Sequence, residues 1–198
     1  MKAIRLNDSQ IKDLVQVGKS RHEAKDISFR NVSNHGLFKK YRENKDINLY
    51  GYDVTQRHLP HIAGVIGEYA YGKLIGEDID RKIYSVRDDG VDFKNGAEVK
   101  TSTFYSGLGR ETELKIPKRE YQERNPKLYV LARLSSEVLA KSPPFLMVEI
   151  LGQISSDKFE SIKEVKQYIT GGPVNYIVRE SLLDAVSGRS KEEHWYFE

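Results

Sequence analysis

Asp92, Glu98 and Lys100 lie close together in the chain, and side chains of these types could hold a divalent metal ion beside a lysine amine. A hard cation bound by carboxylate oxygens neutralises a phosphate and lowers the pKa of bound water, which is the chemistry of phosphodiester hydrolysis. The intervening Asn95-Gly96 pair is typical of a two-residue β-hairpin turn. Because side chains alternate along a strand, Glu98 and Lys100 share one face, and the hairpin register predicts Asp92 opposite Glu98 on that face.

Glu68 is a further candidate, on a helix predicted upstream of the hairpin. This helix is expected to follow Pro60 and to end at Gly76, where start and stop signals occur. Glu68 lies off the apolar arc, with Gly64 and Gly72 one turn away on either side. We expect these glycines to let the helix approach a sheet closely, so that the carboxylate completes the outer shell of an ion or holds a second ion.

Other oxygen donors near the hairpin compete for the same roles. The Val99 carbonyl could supply a third ligand oxygen. Asp88 and Asp89 are alternatives to Asp92, but they precede Gly90 in a predicted turn, and hairpin register favours Asp92. A solvated Glu-Lys pair on an exposed hairpin would have the same sequence, since 31% of the residues are charged.

The elements that must position these residues predict an α/β fold. Extended apolar runs predict strands over residues 82–86, 114–116, 127–134 and 145–151, and the polar segment 117–125 predicts a helix. With the helix that carries Glu68, this order predicts a mixed central β-sheet flanked by helices.

The two ends of the chain contain further helical patterns. Asp8 or Ser9 could cap a helix whose apolar positions extend to Gly18. Apolar positions from Phe159 to Ile169 predict an amphipathic helix that ends before a Gly-Gly-Pro sequence.

The stretch from Gly64 to about Leu151 resembles the PD-(D/E)xK phosphodiesterase superfamily, the restriction-endonuclease-like nucleases. In that family a helical Glu precedes an Asp, and Asp/Glu-x-Lys follows on the next strand. The matching residues here are Glu68, Asp92, Glu98 and Lys100. The sequences Gly-Val-Asp-Phe, Glu-Val-Lys-Thr-Ser and Ile-Leu-Gly-Gln-Ile are similar to those of small phage-encoded members. Val91 replaces the proline of the family's name.

The resemblance implies an αβββαβ core and a Mg²⁺- or Mn²⁺-dependent enzyme that cleaves DNA, an endonuclease of phage or mobile-element origin. Asp92 and Glu98 would be the metal ligands, together with the Val99 carbonyl and Glu68. Lys100 would orient or deprotonate the attacking water or stabilise charge on the phosphate. The alternatives are a nucleic-acid-binding module that keeps the nuclease fold without activity, and a structural or host-takeover phage protein with incidental hairpin charges.

Composition sets broader expectations. The 198 residues suffice for one compact domain, with residues 1–57 as a helical N-terminal extension of a nuclease domain over residues 58–198. No cysteine is present, which excludes disulfides and cysteine-ligated zinc or iron–sulfur sites. No apolar run could span a bilayer and no secretion signal is recognised, so we expect a cytoplasmic protein, in the host cell if phage-encoded. A homodimer would suit cleavage of two strands.

Charge is distributed unevenly along the chain. Residues 1–60 contain twelve Lys or Arg against seven Asp or Glu, residues 61–100 six against eight, and residues 101–141 eight against five. An acidic segment between basic flanks is what a metal-dependent enzyme acting on a phosphate backbone needs. The candidates for backbone contacts are Lys39, Lys40, Arg42, Arg110, Lys115, Lys118, Arg119 and Arg124.

Overall fold

The structure is a computed structural model that describes residues 1–30, 46–55, 57–82, 91–104, 111–135, 139, 141–168, 170 and 172–186. The strands among them are β1 (Lys2–Asn7), β2 (Asp46–Leu49), β3 (Tyr52–Thr55), β4 (Ala97–Phe104), β5 (Glu113–Pro117), β6 (Leu128–Ser135), β7 (Phe145–Ser155), β8 (Glu164–Gln167) and β9 (Val174–Arg179). The α-helices are α1 (Asp8–Arg30), α2 (Leu59–Ile75), α3 (Lys118–Glu123) and α4 (Ser156–Ile162), and a 3₁₀ turn covers Glu180–Leu182.

A four-stranded sheet forms the centre of the fold, in the order β1-β7-β6-β4. β4 runs parallel to β6, whereas the β6–β7 and β7–β1 pairs are antiparallel. The predicted α/β architecture with a mixed central sheet is therefore confirmed. The strands predicted over residues 114–116, 127–134 and 145–151 are also found, as β5, β6 and β7. Within the described residues, no helix is long and apolar enough to cross a membrane.

The two faces of the central sheet cover two different cores. On β6, the buried Val130 and Ala132 pack in the larger core with α1 and α2, whereas the alternating Tyr129 and Leu131 pack in a smaller core. The smaller core also contains Phe159 of α4 and residues of a second sheet, in the order β5-β9-β8. The central sheet therefore has α1 and α2 on one face, and a small antiparallel sheet with α3 and α4 on the other.

The N-terminal residues belong to the same core as the central sheet. β1 pairs with β7, and α1 packs on α2 so closely that a Cβ added at Gly18 would lie 2.6 Å from the Cα of Ile62. The boundary proposed at residue 57 and the expectation of one compact domain both stay predictions.

The start of α1 differs in detail from the prediction. The residue preceding the helix is Asn7, rather than Asp8 or Ser9. Its side-chain oxygen accepts a hydrogen bond from the Gln10 N–H at 3.0 Å, and Gln10 Oε1 accepts one from the Asn7 N–H at 2.9 Å. This reciprocal pair is a capping box, which provides acceptors for two N–H groups that have no hydrogen-bond partner within the helix.

Two other predictions from local pattern need correction. The helix predicted from Phe159 to Ile169 ends at Ile162, and residues 164–167 form β8, because these residues find partners on β9 that local periodicity does not reveal. The predicted hairpin is only partly present: β4 begins after the turn, but Asp92 lies in that turn rather than on a partner strand. The strand predicted at 82–86 lies outside the described residues, except for Lys82, which is not in a strand.

Candidate functional site

β4 places Glu98 and Lys100 on one face of the central sheet, as predicted. The intervening Val99 is buried in the larger core with the helices. Glu98 pairs in register with Tyr129, whose side chain belongs to the smaller core, so Glu98 faces that side. Glu98 is only 3% exposed and is the one buried charged residue in the part of the chain that the structure describes.

A tight turn brings Asp92 to the start of β4. The Gly96 N–H donates to the Phe93 carbonyl at 2.9 Å, and Gly96 has φ 85°, a conformation that favours glycine. The Asp92 N–H donates to the Ala97 carbonyl at 2.9 Å, and Asp92 Oδ2 accepts a hydrogen bond from the Val99 N–H at 2.7 Å. Asp92 therefore lies beside β4 through a side-chain contact to Val99, and the predicted strand register opposite Glu98 is wrong.

Two residues of the α3 region complete the surroundings of Glu98. Glu98 Oε1 is 2.7 Å from Lys100 Nζ and 2.6 Å from Arg124 Nη1. Glu120 forms ion pairs with the same two cations, Lys100 and Arg124, the latter at 3.2 Å. Arg124 was predicted only as a contact to the nucleic-acid backbone, and Glu120 was not predicted at all. Their i,i+4 spacing on a helix was the available signal for this pair.

The second carboxylate oxygen of Glu98 is the clearest indication of a ligand. Glu98 Oε2 is buried and accepts no hydrogen bond in the described part of the structure. Buried polar atoms are nearly always paired, and an ionised carboxylate oxygen without a partner costs free energy. A divalent cation is the kind of ligand that such an oxygen binds, and the carboxylate of Asp92 is close enough to interact electrostatically with Glu98. The residues present therefore fit a metal site.

Glu68 lies on α2 and is bound by an arginine of α1. Arg21 Nη1 lies 2.9 Å from Glu68 Oε1 and 2.8 Å from Glu68 Oε2, and both side chains are largely buried. Arg21 Nη2 also donates to the main-chain carbonyl of Asp80. The two residues of this ion pair are 47 positions apart, so nothing in the local sequence predicted Arg21 as a site residue.

The glycine that lets α2 approach the sheet is neither of the two predicted, Gly64 and Gly72. A Cβ added at Gly67 would lie 2.0 Å from Thr101 Oγ1 on β4, and one added at Gly72 would lie 2.6 Å from the Glu77 carbonyl. A Cβ at Gly64, in contrast, would have open space around it. Close contact between α2 and β4 therefore depends on Gly67, the residue directly before Glu68.

Burial and mutual repulsion change the protonation of the two central carboxylates. Burial raises the pKa of Asp92 to about 7, the charge of Glu68 adds to this effect, and the Val99 N–H, Lys100 and Arg21 oppose it. Burial likewise raises the pKa of Glu98 to about 7, with Asp92 contributing in the same direction and Lys100 opposing it. Paired carboxylates that resist ionisation together are typical of sites that bind a cation or move a proton.

The Lys100 ammonium is stabilised in its charged form. Burial lowers its pKa, but the neighbouring carboxylates of Glu98 and Glu120 raise it more, so that the pKa lies above the ordinary 10.5. Lys100 is therefore protonated at neutral pH in this arrangement, which favours electrostatic stabilisation over proton abstraction among its predicted roles.

The structure brings the predicted residues together in pairs. Asp92 interacts electrostatically with Glu68 and with Glu98, and Lys100 contacts Glu98 directly. Over the described ranges, no three His, Asp or Glu side chains converge enough to hold an ion by themselves. Main-chain or water oxygens would have to complete a coordination shell, and the Val99 carbonyl remains the predicted candidate. Asp88 and Asp89 lie outside the described residues.

Comparisons with known proteins give no match to this chain. No family model matches it, and neither the curated proteins nor the solved structures contain a match. The class of protein must therefore be argued from the fold and the site.

Proposed function

We propose that this protein is a metal-dependent nuclease that cleaves DNA, an endonuclease of phage or mobile-element origin. The observation that carries the proposal is the unpartnered Glu98 Oε2, buried beside a second carboxylate and next to a lysine and an arginine. The chain also resembles PD-(D/E)xK nucleases in having a helical Glu, then an Asp, then Glu-x-Lys on a strand. This resemblance supports phosphodiester hydrolysis as the proposed reaction.

Asp92 and Glu98 would hold a Mg²⁺ or Mn²⁺ ion, and the Val99 carbonyl is the proposed third ligand. When bound, such an ion neutralises phosphate charge and lowers the pKa of a bound water. The hydrogen bond from the Val99 N–H to Asp92 Oδ2 fixes the position of the Asp92 carboxylate relative to β4. Preorganisation of this kind means that little rearrangement is needed when a ligand arrives.

Lys100 and Arg124 are the cations that would meet a phosphate in this site. Both contact Glu98 Oε1, and both are partly exposed, with 21% and 23% of their side-chain surface accessible. A fixed ammonium and guanidinium stabilise the negative charge that develops on a phosphate during hydrolysis. Glu120 keeps the two cations in place, since it pairs with each of them.

The surface around the site supports a polyanionic substrate. Exposed cationic side chains lie on the turn before β4, on α3 and directly before β6, namely Lys94, Lys118, Arg119 and Lys127. The turn and the start of β6 are in contact, since the Lys127 N–H donates to the Gly96 carbonyl at 2.9 Å. Such side chains can bind successive phosphates of a nucleic-acid backbone. Lys39, Lys40, Arg42 and Arg110, also predicted as contacts, lie outside the described residues.

The test is cleavage of supercoiled and linear DNA with Mg²⁺ or Mn²⁺, and with EDTA. We expect cleavage by the wild type that Glu98→Gln and Lys100→Ala both abolish. Glu123→Gln is the matched control, because it makes the same substitution at a glutamate of α3 that pairs with the exposed Arg119. Circular dichroism of each variant verifies folding. Cleavage that persists in Glu98→Gln, or that does not need metal, would refute the proposal.

One observation favours a second candidate, a nucleic-acid-binding module without activity. Glu98 Oε1 already has two cationic partners, so that part of its charge is neutralised without a metal ion. This candidate predicts salt-dependent DNA binding by the wild type and no cleavage of any substrate with either metal. The same assay, combined with a binding measurement, separates the two functions.

A further inference from the structure

The ion pair between Arg21 and Glu68 occupies the side of the site formed by the helices. A single nitrogen of Arg21 lies within 2.9 Å of both carboxylate oxygens of Glu68, and the other terminal nitrogen donates to the Asp80 carbonyl. Side-chain exposure is only 18% for Arg21 and 12% for Glu68. A guanidinium with contacts to two different segments of the chain is held in a fixed position.

The Arg21 charge also reaches the centre of the site. Arg21 interacts favourably with Asp92, whereas Glu68 and Asp92 repel each other. Arg21 is thus placed to compensate both carboxylates, which is what a second metal ion would do in a site with two ions. A divalent cation that approached Glu68 would meet a fixed positive charge in contact with both of its oxygens.

We propose that Arg21 is a built-in cation that takes the place of a second divalent ion, so that each chain binds one ion, at Asp92 and Glu98. Glu68 then positions Arg21 and is not a metal ligand. This inference rests on the proposed function, because it concerns the same metal site. It also assigns a role to α1, for which the sequence suggested none.

The experiment counts Mn²⁺ ions bound per chain, from the electron paramagnetic resonance signal of free Mn²⁺ during a titration at neutral pH. The wild type is expected to bind one ion, and Glu68→Gln is expected to keep that ion. Arg21→Gln leaves three carboxylates with less compensating charge, so we expect a second bound ion. Arg21→Lys retains the charge and should bind one.

Arg81→Gln is the matched control for Arg21→Gln. Arg81 also connects α1 to the segment after α2, through a 2.6 Å contact to Asp13 Oδ2, but this pair is about half exposed. We expect its ion count to equal that of the wild type. If Arg21→Gln does not fold, two ions in the wild type or loss of the ion in Glu68→Gln would still overturn the proposal.

Each other outcome has a defined meaning. Two ions in the wild type, loss of the ion in Glu68→Gln, or a single ion in a folded Arg21→Gln would overturn the role of Arg21 while leaving a metal-dependent nuclease intact. The absence of any bound Mn²⁺ in the wild type would overturn the proposed metal site itself.

Discussion

Replacing Glu98 by glutamine should change how the stability of the metal-free protein depends on pH. Burial, with a contribution from Asp92, raises the pKa of Glu98 from its ordinary 4.5 to about 7. Between these values the folded protein retains a proton that the unfolded chain has lost. The free energy of unfolding of the wild type should therefore fall as pH rises from about 4.5 to 7, because ionisation of Glu98 is unfavourable in the folded state.

The size of this effect follows from the pKa difference. Each pKa unit corresponds to about 1.4 kcal/mol, so full ionisation of Glu98 costs the folded state on the order of 3 kcal/mol. Glutamine resembles the protonated carboxyl and has no proton to lose. Glu98→Gln should thus have a stability similar to that of the wild type at pH 5 and should be more stable at pH 8, by about that amount.

The assay is urea denaturation followed by circular dichroism, at several pH values between 5 and 8 in EDTA. Glu123→Gln, which removes an exposed carboxylate, should follow the wild type within about 0.5 kcal/mol. Addition of Mg²⁺ at pH 8 should stabilise the wild type and leave Glu98→Gln unchanged. A wild type whose stability is flat or rising from pH 5 to 7.5, or a Glu98→Gln variant with an unchanged slope, would refute the reasoning.

Further substitutions test the packing and the site. Gly67→Ala should lower the free energy of unfolding by about 1–3 kcal/mol, since its Cβ would lie 2.0 Å from a threonine hydroxyl of β4. Gly64→Ala has open space around its Cβ and should raise the free energy of unfolding by roughly 0.5–1 kcal/mol. Thermal denaturation of the two variants compares these effects. Asn7→Ala should cost about 1 kcal/mol in urea denaturation, because it removes the capping box of α1. Glu120→Gln should lower DNA cleavage roughly tenfold or more at unchanged stability, because it loosens the cations beside Glu98; unchanged cleavage would contradict this role.

The features that could be predicted from sequence are those fixed by local periodicity. Glu98 and Lys100 share a face because alternation along β4 is a property of any strand. The helix that carries Glu68 has a proline at its start and Gly76 in the left-handed conformation at its end, as the sequence signals indicated. Three of the four strands of the central sheet were likewise predicted, β6 and β7 from their apolar runs and β4 from the Asn-Gly turn signal before it, whereas β1 was not.

The features that were missed depend on contacts between distant segments. Arg21 reaches Glu68 across 47 positions of the chain, and only the packing of α1 on α2 brings them together. Residues 164–167 have a helical pattern but form a strand, because pairing with β9 outweighs local preference. Asp92 was predicted on a partner strand opposite Glu98, but its N–H bonds to the Ala97 carbonyl across the Phe93–Gly96 turn, and Asp92 is not part of a strand.

The parallel pairing of β4 with β6 also affects how the chain folds. Parallel neighbours require a crossover, and here the segment between the two strands carries β5 and α3 before β6 can pair. The entropy of closing that loop is lost before any contact across it is gained, which slows folding relative to helical proteins of similar size. We therefore expect the guanidinium of Arg124 to reach Glu98 late in refolding, after α1 and α2 have formed.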